Sequence, residues 1–264
     1  MNHLAKLVAL NATALLAASA TGGIIQDNFE SYDTGSFPGG QWNDIFGRVV
    51  DNPTPGPTMG VIDTIDANGN ATRAIQSSQI GGTNGVYASI ESSRIHTMSV
   101  DMRIDTTPRT NSWPMAVGFT QQTAPGEDIN RQSQAVVYAW SNRRFFLFVS
   151  QEFGGAAANL VLPNFQFTED TWYTVSLTAD TETGSFQAQV SDAATGEVLT
   201  SRNYNASVWD SSLGDYDSLS FFDGEPIGST NGVQATLDNV NYVPAPSMTA
   251  MIAITLGAVS RRRR

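Results

Sequence analysis

The residues able to do chemistry in this 264-residue chain are a limited set. They are 25 acids, five tryptophans, seven tyrosines, two histidines and no cysteine. Without Cys there is no disulfide, thiolate metal ligand or thiol nucleophile. His3 and His96 are too few for a histidine metal cluster, and a Ser-His-Asp triad is nearly excluded. His96 lies in Arg94-Ile95-His96-Thr97, where an isolated histidine at a strand start is expected to be a surface or hydrogen-bonded side chain. The clustered acids are Glu127-Asp128, Glu169-Asp170, Asp215 with Asp217, and Asp223 with Glu225. All stand beside Gly, Pro, Asn or Ser, so turn roles are expected for them rather than catalysis. Asp66-Ala67-Asn68-Gly69-Asn70 fails the spacing of a calcium loop, because glycine falls fourth instead of sixth and no Glu stands twelfth. No phosphate loop, dinucleotide fingerprint or zinc spacing occurs.

The aromatic residues offer a different chemistry. Trp and Tyr rings carry a broad apolar face and a polar handle, which suits the C–H faces of sugars. In Gln134–Trp140, Val136, Tyr138 and Trp140 share one strand face, and Ala135, Val137 and Ala139 share the other. The aromatic face is expected to be the core one. If instead the small face is core, Tyr138 and Trp140 project outward as a platform flanked by Arg143 or Arg144. Trp42, Trp113 and Trp209 sit among Gly, Pro, Asn, Asp and Ser, where a tryptophan either contacts a ligand or pins a loop. The candidate carbohydrate contacts are therefore Trp113, Tyr138, Trp140 and Trp209.

Short strands must position these rings. Met98–Ile104, Tyr173–Ala179 and Phe186–Val190 alternate apolar with polar residues at period two, the pattern of half-buried antiparallel strands. Asp180–Gly184, Ala193–Gly196 and Ser141–Arg144 join such strands as hairpin turns. Asp51–Pro57, with three prolines, is a loop. Many short strands with frequent turns and no helical periodicity predict an all-β sandwich or barrel of one domain.

The charge balance narrows the partners. Net charge is −11, and of the 14 basic residues Lys6 and Arg261–Arg264 lie in the end segments. Nine arginines and no lysine remain against 25 acids, which opposes binding to nucleic acid or anionic membranes. Lys6, an apolar run from Leu7 to Ala18 and the small-residue exit Ala18-Ser19-Ala20 describe a secretory signal peptide over residues 1–20. At the other end, Val243-Pro244-Ala245-Pro246-Ser247 precedes an apolar run, Met248–Val259, and four arginines. That run would rise only about 18 Å as a helix, against a hydrocarbon core of about 30 Å. The arginines stay on the cytoplasmic side, which holds the body outside.

The order of proline motif, apolar run and arginine cluster resembles a PEP-CTERM sorting signal over residues 244–264. The departure is Ala245, where that motif carries Glu. The resemblance implies recognition by an exosortase, removal of the tail, and delivery to the cell surface or extracellular matrix. An ordinary tail anchor would give the same outward topology.

Residues 21–243 resemble a concanavalin A-like, laminin-G-like jelly-roll β-sandwich. The resemblance is carried by Asp27-Asn28-Phe29-Glu30, Thr171–Leu177 with Asp180–Gly184 and Phe186, and Leu237-Asp238-Asn239-Val240. It implies a calcium ion between the terminal strands, held by Glu30 and Asp238, with Asp27 and Asn239 as nearby oxygen donors. Without calcium, Glu30 and Asp238 would cap turns or pair with Arg. Glycosidases of this fold carry Glu-x-Asp-x-x-Glu, and that pattern is absent. The expected function is a secreted, non-catalytic, carbohydrate-binding module of the envelope or matrix, with polysaccharide as partner and structural Ca²⁺. A diverged glycoside hydrolase or polysaccharide lyase, and a purely structural or adhesive matrix protein, are the alternatives.

Overall fold

Period-two alternation marks Ile95–Ile104, Trp172–Asp180 and most of Ser185–Asp192. In a computed structural model, described for residues 23–44, 59–77, 85–91, 93–105, 113–121, 133–140, 142–151, 158–207, 209, 216–224 and 234–245, every regular element is a β-strand. The strands form two antiparallel sheets. The first has the order β13 (Val198–Asn205), β12 (Ser185–Asp192), β11 (Trp172–Asp180), β6 (Ile95–Ile104), β15 (Ala235–Pro244), β4 (Ala71–Ser77) and β3 (Met59–Ile65). A short β1 (Ile25–Asp27) also pairs with β15. The second has the order β10 (Ala158–Val161), β9 (Phe145–Ser150), β8 (Gln134–Ala139), β7 (Trp113–Thr120), β14 (Ser218–Gly224), β5 (Gly85–Ser89) and β2 (Trp42–Asp44).

The predicted hairpins are present. β11 and β12 are joined across Thr181–Gly184, where Gly184 at φ +67° closes the turn by donating its N–H to the Asp180 carbonyl at 2.9 Å. β12 and β13 turn through Gly196, and β8 and β9 turn through Arg143, at φ +62°. Asp51–Pro57, Glu127-Asp128, Asp215 and Glu225 lie outside the described residues. Among the described residues no helix is long and apolar enough to cross a membrane.

The core lies between the sheets. Val100, Met102, Val175, Leu177, Ala188 and Val190 of the first sheet pack against Val117, Phe119, Val137, Leu147, Leu219 and Phe221 of the second. His96 is part of this layer. It is fully buried, its Nδ1 lies 3.0 Å from the Tyr242 hydroxyl, and its ring lies 5.4 Å from Phe119.

One expectation about the core is reversed. Ala135, Val137 and Ala139 face the core, whereas Val136 and Tyr138 face outward with Phe146, Phe148 and Phe222. The physical reason lies in the neighbouring strands. Phe119, Phe145, Leu147 and Phe221 already fill the interlayer space, so β8 contributes only small side chains there. Gly118, on the outer face opposite Val136, is crowded by β8 as well. A Cβ at that position would stand 2.2 Å from the Ala135 carbonyl oxygen.

Candidate functional site

Two places outside the core collect chemistry. The first is the outer face of the second sheet. Register places Phe146, Tyr138, Ala116 and Phe222 in one row, continued by Val161. The next row holds Asn159, Phe148, Val136, Gly118, Ser220 and Tyr87. The third runs through Ser150, Gln134, Thr120 and Ser218. Among the described residues, no side chain of these rows carries a charge. Exposure rises from the middle toward both edges along the second row, whereas Ser150, Gln134, Thr120 and Ser218 of the third row are buried. Ala116, Val136 and Phe222 are covered, Phe146, Phe148 and Tyr87 are half-buried, and Asn159 and Asn43 are exposed.

The rings are ordered against one another. Tyr138 and Phe146 stack at 5.3 Å with 10° between their planes, and Trp140 meets Tyr138 edge to face at 5.9 Å. The Tyr138 hydroxyl donates to Asn159 Oδ1 at 2.8 Å, and burial holds its pKa above the ordinary value. Tyr138 is 2% exposed, and its ring is largely used by its protein neighbours. Trp140 remains half-exposed at the rim, and the backbone bond from Trp140 N–H to the Arg144 carbonyl sets Arg144 opposite it. Arg143 is paired with Glu169 at 3.7 Å. Sequence reasoning passed over Phe146 and Phe148. Their signal was the unbroken run Phe145–Val149, apolar on both faces, which marks a strand covered on two sides.

The other tryptophans are dispersed. Trp209 packs on the β11–β12 hairpin, with Nε1 donating to the Thr181 carbonyl at 2.6 Å and its ring edge-to-face with Phe186 at 5.2 Å. A Cβ on Gly184 would stand 2.6 Å from that ring. Trp42 is buried and donates to Asp27 Oδ2 at 2.8 Å. Trp113 opens β7 opposite Gly224, and its side chain lies outside the described residues. The structure therefore brings together Tyr138 and Trp140 and sets Trp209 elsewhere, against the hairpin that starts at Asp180.

The second place is the outer face of the first sheet, where β15 changes partner. β4 pairs with Thr236 and Leu237, whereas β1 pairs with Val240 through Tyr242. Between them the register of β15 against β6 shifts, and Asn239 takes φ +51°. Such a bulge re-aims the side chains beside it. Opposite, Phe29 takes φ +57°, a costly conformation for an aromatic residue. It is fixed by its N–H to Asp27 Oδ1 at 2.8 Å and by burial against Trp42. The Tyr32 hydroxyl donates to the other oxygen of Asp27, and burial with this contact pushes the phenol to about 12.

These two irregular turns deliver Glu30 and Asp238 to one point. Thr72 Oγ1 lies 2.8 Å from Glu30 Oε1 and 3.0 Å from Asp238 Oδ2. Glu30 Oε1 also accepts the Arg73 N–H at 2.9 Å, and Asp238 Oδ1 accepts the Asn239 N–H at 2.7 Å. Asp101, opposite Asp238 on β6, accepts from Thr174 at 2.6 Å and from Asn239 Nδ2 at 2.9 Å. The two carboxyls are driven apart electrostatically. The Arg73 backbone N–H and the Thr72 hydroxyl lower the Glu30 pKa. Burial, with the charges of Asp101 and Glu30 adding to it, raises that of Asp238 to about 6. Thr72 has one proton for two carboxylates, so a proton on Asp238 or a bound cation completes the arrangement. The donors are all oxygens, which suits Ca²⁺, and two carboxylates and a hydroxyl leave further positions to carbonyls and waters. Among the described residues no group of three acidic or histidine side chains forms a metal-holding cluster. The sequence signal for Thr72 and Asp101 was absent, because neither stands near Glu30 or Asp238 in the chain.

The fold defined by these two sheets is the lectin-like jelly-roll sandwich. No family model matches the chain, and no curated protein does. Among solved structures, it is similar to arcelin-5, a lectin-like defense protein from Phaseolus vulgaris. The TM-score is 0.51 at 10% identity, over 84% of this chain and 98% of that one. The Emp47p carbohydrate recognition domain gives 0.52 at 10% identity, over 84% and 94%. The exoplasmic/lumenal domain of VIP36, in a Ca²⁺- and Man-bound form, gives 0.52 at 7% identity, over 84% and 89%. At such identities the likeness establishes the fold.

Proposed function

We propose that this chain is a secreted, non-catalytic carbohydrate-binding module of the cell envelope or extracellular matrix. The observation that carries the reading is the aromatic face of the second sheet, whose three rows carry no charge among the described residues, with Phe146, Phe148 and Tyr87 part-exposed along it and Trp140 at its rim. Rings of this kind on a sheet stack on sugar C–H faces, while Asn159 and Asn43 at the rim supply hydrogen bonds to hydroxyls. The fold adds support, since two of the similar structures are named for carbohydrate recognition or a bound sugar. Glu30, Asp238 and Thr72 would hold Ca²⁺, which when bound supplies rigidity where β1, β4 and β15 meet. Residues 1–20 would direct export, and residues 244–264 would engage a sorting machinery. Pro244 and Ala245 belong to the fold, because β15 runs to Pro244 and Ala245 still donates to the Ile95 carbonyl at 2.8 Å.

The test is affinity electrophoresis and a glycan array with the full secreted chain and its Phe148→Ala and Trp140→Ala variants. Glycan binding that falls at least tenfold in the variants, with the melting temperature held within a few degrees, supports the reading. Lost stability with no glycan bound by the parent chain favours the structural or adhesive alternative, to which the mutual stacking of Tyr138 and Phe146 already lends weight.

A further inference from the structure

We infer that the glycan taken by the aromatic face is an uncharged one, and that uronate- or sulfate-bearing polysaccharides are excluded from it. The inference rests on the carbohydrate-binding reading and names the substrate class of that same face. Across the first two rows, which hold the part-exposed rings, and the buried third row the side chains are aromatic, aliphatic, hydroxyl or amide, and among the described residues none is Lys, Arg, Asp or Glu. A carboxylate or sulfate laid on Phe146 and Phe148 would lose its water and find no counter-ion among the described side chains of these rows, which costs more than neutral hydrogen bonds return. A sugar hydroxyl meets no such penalty, because Asn159 and Asn43 both donate and accept.

The surrounding charges act in the same direction. The whole chain carries −11, so a polyanion is repelled before contact. Among the described residues, Arg143 and Arg144 stand at the β8–β9 turn, at the end of the face. Arg143 is held by Glu169. Arg144 stands at the Trp140 end, beyond the three uncharged rows, where its backbone carbonyl accepts the Trp140 N–H. Its fork of N–H groups can equally donate to hydroxyls of a neutral sugar.

The experiment measures retention of the full secreted chain by soluble neutral polymers (galactomannan, xyloglucan, mannan and β-glucan) and anionic ones (alginate, polygalacturonate and dextran sulfate). Each is run in 0.01 M and 1 M NaCl, where the Debye length is about 30 Å and about 3 Å. Expected is retention by at least one neutral polymer, changed less than twofold by salt and lost in Phe148→Ala. Expected also is at least tenfold weaker retention by every anionic polymer at both salt concentrations. Anionic retention that persists in 1 M NaCl and disappears in Phe148→Ala or Arg144→Gln overturns the inference and leaves the carbohydrate-binding reading standing. Retention by no polymer of either class overturns that reading, and the inference with it.

Discussion

Glu30 and Asp238, at opposite ends of the fold's sequence, converge on the single hydroxyl of Thr72, at 2.8 and 3.0 Å. The pair closes the place where the first and last of the described strands, β1 and β15, meet. It also puts negative charge where burial disfavours it. Two consequences can be measured.

The first is a pH dependence. The folded pKa of Asp238 is raised from 3.8 to about 6. The folded state therefore holds this proton more tightly than the unfolded chain. The associated stability is fully present below pH 4 and is lost as pH rises through 6, on the order of 3 kcal/mol for a shift of this size. In EDTA, the Asp238 contribution should raise the melting temperature between pH 7.5 and pH 5. Asp238→Asn should flatten that rise and melt several degrees higher than the parent at pH 7.5. A variant less stable than the parent at pH 7.5 would show that the ionised carboxylate is stabilising and contradict this account.

A bound cation reverses the sign, because it favours the ionised carboxylate. Added Ca²⁺ should raise the melting temperature at pH 7.5 and do so less at pH 5, where protons compete. Asp238→Asn and Glu30→Gln should each remove most of the response. An unchanged response in both variants would place any calcium elsewhere.

Tyr216 gives a prediction of opposite character. Its ring is 1% exposed within the core, and its hydroxyl has no hydrogen-bond partner among the described residues. Burial drives the phenol pKa far upward. A buried hydroxyl without a partner costs about 1–3 kcal/mol. Tyr216→Phe should therefore be neutral or stabilising by about 1 kcal/mol in chemical denaturation. A loss of more than 1 kcal/mol would mean that the hydroxyl is bonded.

Trp209 should matter for stability and not for sugar. Its contacts are the Thr181 carbonyl, Phe186 and the surface of Gly184. Trp209→Ala should cost about 2–4 kcal/mol. Gly184→Ala should cost at least 1–2 kcal/mol, both from its φ of +67° and from the clash with the indole. Retention on any bound polysaccharide should be unaltered in both, once measured well below their melting temperatures. A selective loss of retention would return Trp209 to the binding surface.

Much of the architecture was legible in the chain. Period-two alternation at Met98–Ile104 and Tyr173–Ala179 marked the strands, and Gly184 and Gly196 marked turns that need positive φ. These are local properties, set by the pleat and by backbone sterics, so sequence alone determines them. The composition likewise determined that no thiol or histidine-cluster chemistry operates here. What only the tertiary structure decided was which way an ambiguous strand faces and which distant residues meet. β8 is apolar on both sides, so its own residues could not choose a core face. The bulky rings of β7, β9 and β14 chose it by filling the interlayer space first. The pairing of Glu30 with Asp238 was implied by the family resemblance. The recruitment of Thr72, and the placing of Asp101 beside Asp238, required β15 to change partner and bulge at Asn239. Contacts of that kind depend on long-range register, which no local pattern encodes.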